Sequence, residues 1–526
     1  MDDAQPPARP DPGVRTYLAL TLLVFLLLFS RSMTRTFDLD EHQFVAPPTL
    51  LTQDERLPYR DYPYFHMPNL PFLYAGLIGW SPYKLLAART VSVVCGTALV
   101  MLLFAAGWRS LTGVSSRLRW LIAGGAPLIY ICSRLFTYTN GWAWNHDTAL
   151  LCAVGAFFLY LHGLHRSRLW ALAAAGFLVG CAAGIRLSFA LIFVPFALTL
   201  LLDRSPLSRG RRALGLALAA LGGAVASLPT FVLWAMNPDR FVFGNLVYPK
   251  LNTLYSLSVH SPNMSWLAKG QQLLVTVVTD PGNAFLFAAS AYALGYCFWR
   301  RRLWRSEYRN ELILILGLLP ALLVGSWGPT PTQYQYYYQL LPFLTLGVLY
   351  TLAARRTDPV ALKRWAWTFG LGLLVAAGTG LPRWYWGVAS LPRPDDWTPV
   401  AVHRTGEWIK ANAPPGARVL TIDPAVPLEA RMEVYPEFAV GRFVSLVGGF
   451  LSPEQRRRYH VAFAEELDRL LAETPPDAVF CDERVRGEAE ALIRYATEHR
   501  FRRLESPDGQ FTLWVREGGE LSARRP

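Results

Sequence analysis

The segment Phe37-Asp38-Leu39-Asp40-Glu41-His42 sets two adjacent carboxylates, Asp40 and Glu41, beside a histidine just after an apolar run. Such a group can deprotonate a hydroxyl or amine, or hold a divalent cation. The same residues also suit a helix N-terminus, with Asp40 as cap and Glu41 facing the helix dipole. A second group lies over residues 58–68. Pro58, Pro63 and Pro68 stiffen the backbone, and Asp61 and His66 alternate with aromatics. That pattern fits the wall of a substrate site, or an interfacial aromatic belt. Asp147 closes the sequence Trp142-Ala143-Trp144-Asn145-His146 and reads as a substrate ligand or as the cap of the following helix. Arg186 stands between two apolar stretches, where a guanidinium needs a partner. A phosphate meets that need by accepting its forked donors; a structural ion pair or snorkelling also would. Arg31 and Arg35, four residues apart, are further candidates for a lipid phosphate. Tyr334 and Tyr337, in a tyrosine-rich entry to an apolar run, can line a cavity for a lipid-linked sugar or belong to an aromatic belt.

The elements that must hold these groups are membrane helices. Of the 526 residues, 52% are hydrophobic and 17% charged, which excludes a largely disordered chain. Apolar runs begin near Tyr17, Leu85, Trp120, Thr148, Leu169, Leu187, Ala213, Ala284, Leu312, Tyr336 and Trp365. They predict about eleven spans of a ~30 Å hydrocarbon core. Residues 17–30 have no small-x-small cleavage site after them and read as a retained first span.

The net charge is +13. On a soluble protein it would suggest nucleic acid. Here the excess sits in alternate short loops: Arg109, Arg117 and Arg119; Arg166 and Arg168; Arg204, Arg209, Arg211 and Arg212; Arg300, Arg301, Arg302, Arg305 and Arg309; Arg355, Arg356, Lys363 and Arg364. The intervening loops 137–147 and 328–335 have no Lys or Arg. By the positive-inside rule the N-terminus is cytoplasmic, and the long acidic loop over 31–83 lies on the opposite face. No nucleic-acid partner is implied.

Residues 1–16 read as a cytoplasmic disordered tail and 17–382 as the membrane domain. Residues 383–526 read as a small extracytoplasmic α/β domain. Its expected helices lie over 402–412, 453–473 and 487–499, and its expected strands over 418–422, 478–481 and 511–515. No phosphate-binding glycine motif appears there. The six cysteines lack metal or disulfide spacing, and no metal site is read.

Taken in order, FDLDEHQFV, PYRDYPYFHMPNLPFLY, NHDTALL, GCAAGIRLSF and YQYYYQLLPFL resemble motifs of the GT-C superfamily of integral-membrane glycosyltransferases. The similarity is to the bacterial branch related to protein O-mannosyltransferases and the aminoarabinose transferase of lipid A, and it spans about 17–383. The resemblance implies a mainly α, polytopic fold in a bacterial inner membrane. It implies transfer of a hexose or pentose (class EC 2.4) from a polyprenyl-phosphate-linked donor to an acceptor that is a protein, lipid or glycan. Asp40 matches the family's catalytic acidic residue, with Glu41 beside it. Asp147 matches a second acidic site residue and Arg186 the donor-phosphate ligand. His66 stands where some members carry an acid. Met67 replaces the lysine of the aminoarabinose branch, which argues against that sugar. No cofactor is identified for certain, and a divalent cation is compatible with the acidic cluster. The alternative from another class is a polytopic transporter or lipid flippase, which would show repeated halves and polar midplane helices. Neither is seen.

Overall fold

The computed structural model describes residues 13–202, 207–299, 306–485, 487, 489–506 and 509–517. Of the expected tail, residues 1–12 lie outside that set, as do Arg204, Arg300, Arg301, Arg302 and Arg305. The first helix, Val14–Thr34, already includes the end of the expected tail.

Each apolar run is helical. Among the described residues, five helices are long and apolar enough to cross a membrane: Val14–Thr34, Lys84–Ser110, His146–His165, Arg309–Trp327 and Val360–Ser390. Two broken pairs raise the number to seven. Arg209–Ala226 with Leu228–Met236 bends by 52°, and Trp266–Val278 with Pro281–Gly295 bends by 106°. The expected count of about eleven is not confirmed, because four of the runs form shorter helices. The runs at Trp120, Leu169, Leu187 and Tyr336 form helices Ser116–Cys132, Leu169–Ile185, Phe193–Leu202 and Leu341–Ala353, of 10 to 17 residues. At 1.5 Å per residue these extend roughly 15–25 Å, less than a full hydrocarbon core.

Small residues let the helices approach closely, which is how apolar segments gain contact where water offers no driving force. A Cβ on Gly176 would fall 1.9 Å from the Ala219 carbonyl oxygen, so Leu169–Ile185 and Arg209–Ala226 pack backbone to backbone. The stretch 169–202 is two pieces. Its helix stops at Ile185, and Arg186 takes an extended backbone.

Helical structure runs past the expected boundary at 382 to Ser390. Beyond it lies a five-stranded sheet: β1 (Arg418–Leu420), β2 (Glu433–Val434), β3 (Ala478–Asp482), β4 (Arg502–Glu505) and β5 (Phe511–Val515). The order is β2-β1-β3-β5-β4. β1 is parallel to both its neighbours, and β5 is antiparallel to β3 and β4. The three expected strands are present. The helix expected over 453–473 is two, Pro453–Tyr459 and Glu465–Glu473, because His460 and Ala464 take positive φ between them.

The sheet domain is not an appendage. Tyr59, Tyr62 and Tyr64 of the first loop share one apolar core with Val434, Phe438 and Val479. The buried Glu429 carboxylate accepts from the Lys84 and Leu85 backbone N–H groups at 2.8 and 2.6 Å. It thereby satisfies orphan donors at the start of the Lys84–Ser110 helix, where a negative charge is favoured.

Candidate active site

The site forms where the first loop, the 137–147 loop, the break at Arg186 and the sheet domain meet. Asp38 caps a 3₁₀ turn, Leu39–Glu41: its side chain accepts from the Asp40 N–H at 2.8 Å, and Glu41 accepts from the Asp38 N–H at 3.1 Å. The helix-start alternative is thus realised, with Asp38 rather than Asp40 as cap.

This turn separates the two expected catalytic carboxylates. Glu41 is fully buried against Arg89, with Nε–Oε1 at 2.8 Å and Nη2–Oε2 at 2.6 Å, and it also accepts from the Ala143 N–H at 2.8 Å. Arg89 spends its other donors on the Ser32, Arg35 and Thr36 carbonyls. With its oxygens taken by Arg89 and by the Asp38 and Ala143 N–H groups, Glu41 holds the turn in place. Asp40 is the opposite case. It is partly exposed, and among the described residues its carboxylate accepts no hydrogen bond. Loss of water and then the charge of Asp38 raise its pKa to about 7, against the opposing pull of Arg442 from the sheet domain.

Arg186 extends toward neutral partners. It donates to the His146 ring at 2.9 Å, approaches Asn145 Oδ1 at 3.5 Å and Ser188 Oγ at 3.3 Å, and lies 4.6 Å above the Tyr336 ring. Among the described residues no carboxylate pairs with it. Tyr336 links the two halves of the site: its phenol is pushed up by burial and by Asp40, and held down by Arg186. His66 joins from the second motif. Its Nε2 is 2.8 Å from Gln43 Oε1, and burial followed by the Arg186 charge lowers its pKa to about 3. It is a neutral imidazole that donates through Nε2 and leaves Nδ1 as an acceptor.

The other expected residues are placed differently. Asp147 is buried and accepts from Asn140 Nδ2 at 3.0 Å, the Gly141 N–H at 3.0 Å and the Tyr338 hydroxyl at 2.9 Å. It fastens the 137–147 loop and is not open to a substrate. Asp61 folds back on its own turn, accepting from the Leu57 N–H at 2.6 Å and pairing with Arg60 at 2.7 Å, outside the cluster. Tyr334–Leu340 is a 3₁₀ helix, in which residues three apart share a row. Tyr334 and Tyr337 therefore point together, but away from Arg186. Tyr337 is buried near the Lys269 carbonyl, and Tyr334 lies beside Asn283. Arg31 and Arg35 donate to the Thr137 carbonyl, and Arg35 also to that of Tyr138, so both are engaged within the protein.

The residues missed in the sequence are Arg89, Gln43, His146, Tyr336 and Arg442. Arg89 had a signal, a guanidinium inside an apolar run that must find a partner. Arg442 had none. The donor set does not suit a divalent cation. Glu41 is committed to Arg89 and Asp38 to its cap, and among the described residues no three His, Cys, Asp or Glu side chains gather to hold a metal.

No protein-family model matches the sequence, and no curated protein does. Solved structures match over nearly the whole chain. ArnT from Cupriavidus metallidurans bound to undecaprenyl phosphate is 13% identical, with a TM-score of 0.62, and the match covers 96% of this chain and 98% of that one. The apo state of the same protein, also 13% identical, gives 0.59 over 96% and 97%. The apo oligosaccharyltransferase of Archaeoglobus fulgidus, 13% identical, gives 0.51 over 97% and 76%. At such identity the likeness is one of fold: this chain shares the fold of these ArnT and oligosaccharyltransferase structures.

Proposed function

We propose that this chain is an integral-membrane glycosyltransferase that moves a sugar from a polyprenyl-phosphate donor to an acceptor hydroxyl or amine. The observation that carries the reading is that, among the described residues, the Asp40 carboxylate accepts no hydrogen bond and Arg186 pairs with no carboxylate, while both charges act on Tyr336. Asp40, with a pKa near 7, takes the acceptor's proton as the acceptor atom bonds to the anomeric carbon. The bond from that carbon to the phosphate oxygen breaks, and the electron pair leaves with the polyprenyl phosphate. Arg186 donates to that anion and stabilises the charge as it develops. His66, uncharged, and Asn145 offer hydrogen bonds to the sugar or the phosphate.

A lipid-linked donor keeps its tail among the helices and its phosphate at their ends, where Arg186 lies. Undecaprenyl phosphate bound to the similar ArnT structure supports the donor class. The distribution of arginines supports a cytoplasmic N-terminus with the sheet domain on the opposite face, and the likeness to the bacterial ArnT structure supports an inner membrane with that domain in the periplasm. Met67 argues against aminoarabinose, and the sugar is a hexose or pentose of another kind. The test uses the full chain in lipid nanodiscs, undecaprenyl phosphate bearing a radiolabelled hexose or pentose, and a membrane extract as acceptor source. Transfer by the wild type, abolished in Asp40→Asn, is expected. Movement of labelled lipid across vesicles with no transfer would overturn the reading in favour of a flippase.

A further inference from the structure

The turn that carries Asp40 is seated on the sheet domain at a particular place. β1 and β3 are parallel neighbours; β3 ends at Asp482, and Asp423 follows the carboxyl end of β1, in the loop after Leu420. In α/β sheets the crevice beyond the carboxyl ends of parallel strands is where ligands bind. Here part of this chain's own first loop contacts that edge. His42 Nε2 lies 3.2 Å from Asp423 Oδ1, with both side chains buried. The second Asp423 oxygen accepts from the Asp482 N–H at 3.3 Å, which fixes the carboxylate. Asp482 in turn holds Arg484, and Arg484 Nη1 donates to the Phe37 carbonyl at 3.4 Å. Gly441, at φ +63°, closes over His42, where a Cβ would sit 2.9 Å from the Ile422 carbonyl oxygen and 3.4 Å from His42 Cβ. The next residue, Arg442, acts electrostatically on Asp40. Asp40 thus lies between two points, Phe37 and His42, that are both tied to the sheet domain.

We propose that Asp423 is a positioning residue for Asp40, acting through His42, and that the sheet domain is an obligatory half of the active site, with the Asp38–Glu41 turn seated at its strand ends. The proposal rests on the glycosyl-transfer reading. A domain that only recruited an acceptor would not need to hold both ends of the turn bearing the base. Arg186, in contrast, is held by His146, Asn145 and Ser188 of the helical domain, so donor-phosphate binding and base placement have separate supports.

That separation supplies the experiment. Asp423→Ala in the full chain in nanodiscs is expected to lower the transfer rate by about 100-fold, the scale of an ångström-sized misplacement of a reacting group. Affinity for undecaprenyl phosphate, read by calorimetry, should stay within about twofold of the wild type, by the same separation of supports. Asp423→Asn keeps an acceptor oxygen for His42 and should restore most of the rate. Arg484→Ala, at a more exposed site, frees only the Phe37 end and should reduce the rate less, again with binding intact. If Asp423→Ala does not fold, the Arg484→Ala rate decides. A wild-type rate in the folded Asp423→Ala chain, or in Arg484→Ala if that variant must decide, overturns the proposal, as does a parallel loss of undecaprenyl phosphate affinity. A full rate in Asp40→Asn would instead overturn the functional reading itself.

Discussion

Arg89 and Glu41 form a bidentate ion pair with no solvent exposure on either side chain, and it joins the Lys84–Ser110 helix to the turn that carries Asp40. Two buried charges are expensive to remove from water. The pair is tolerated because all their hydrogen-bonding capacity is used by each other and by the Ser32, Arg35, Thr36, Asp38 and Ala143 backbone. Removing one partner strands the other. Arg89→Met is therefore expected to destabilise the protein by about 3–5 kcal/mol, read as a lowered unfolding midpoint in detergent. Asp40→Asn should leave that midpoint unchanged or raise it, because Asp40 has no such partners to lose. A stable Arg89→Met chain would remove Glu41 from its assigned structural role.

The Asp40 environment predicts the pH dependence of turnover. Its pKa is raised from 3.8 to about 7, first by loss of water and then by Asp38. The base form exists above that value, so the rate should climb with pH up to about 7 and level off beyond it. Asp38→Asn removes a repelling negative charge, lowers the Asp40 value and moves the rising limb to lower pH. Arg442→Gln removes an attracting cation and moves it higher. A limb that does not move in either variant would mean that another group sets it.

Arg186 should govern lipid-phosphate affinity more than protein stability. A hydrogen bond to a charged group is worth roughly 1.5–3 kcal/mol, so Arg186→Ala should weaken undecaprenyl phosphate binding about 10- to 100-fold. Arg186→Lys should fall between, because an ammonium lacks the planar fork. Calorimetric titration checks both. Unchanged affinity in Arg186→Ala would place the phosphate elsewhere.

The tyrosine row separates structural from site roles. Tyr338→Phe removes a donor from the buried Asp147 and should cost about 1–3 kcal/mol of stability. Tyr336→Phe keeps the ring beneath Arg186 and should leave stability near the wild type. Any change it makes in turnover reports the loss of the phenol hydroxyl itself. Unfolding midpoints for the two variants give the comparison.

Much of this protein was determined locally. Apolar runs fix where helices form, because a membrane-length stretch without charges has few other ways to satisfy its backbone, and alternation of helix and strand text fixed the nature of the last domain. Asp40 and Arg186 stood out in the sequence because ionisable groups beside apolar runs are costly and must have a purpose. What the sequence left open was which of several similar residues faces the site. Asp40 and Glu41 are neighbours of the same type, and only the position of Arg89, 48 residues on, commits one to structure and leaves the other unpartnered. Among Tyr334, Tyr336, Tyr337 and Tyr338, the choice depends on how a 3₁₀ helix is rotated against Arg186 and Asp147. That rotation is set by packing against helices far away in the chain. Asp147 and Asp61 looked equally suited to a substrate until loop closure took their oxygens. The seating of the Asp40 turn on Asp423 and Arg484 joins residues about 380 to 450 positions apart. Contacts at that separation leave no periodicity or spacing to read. They are decided by tertiary packing, which places whole elements and with them the direction of every side chain they carry.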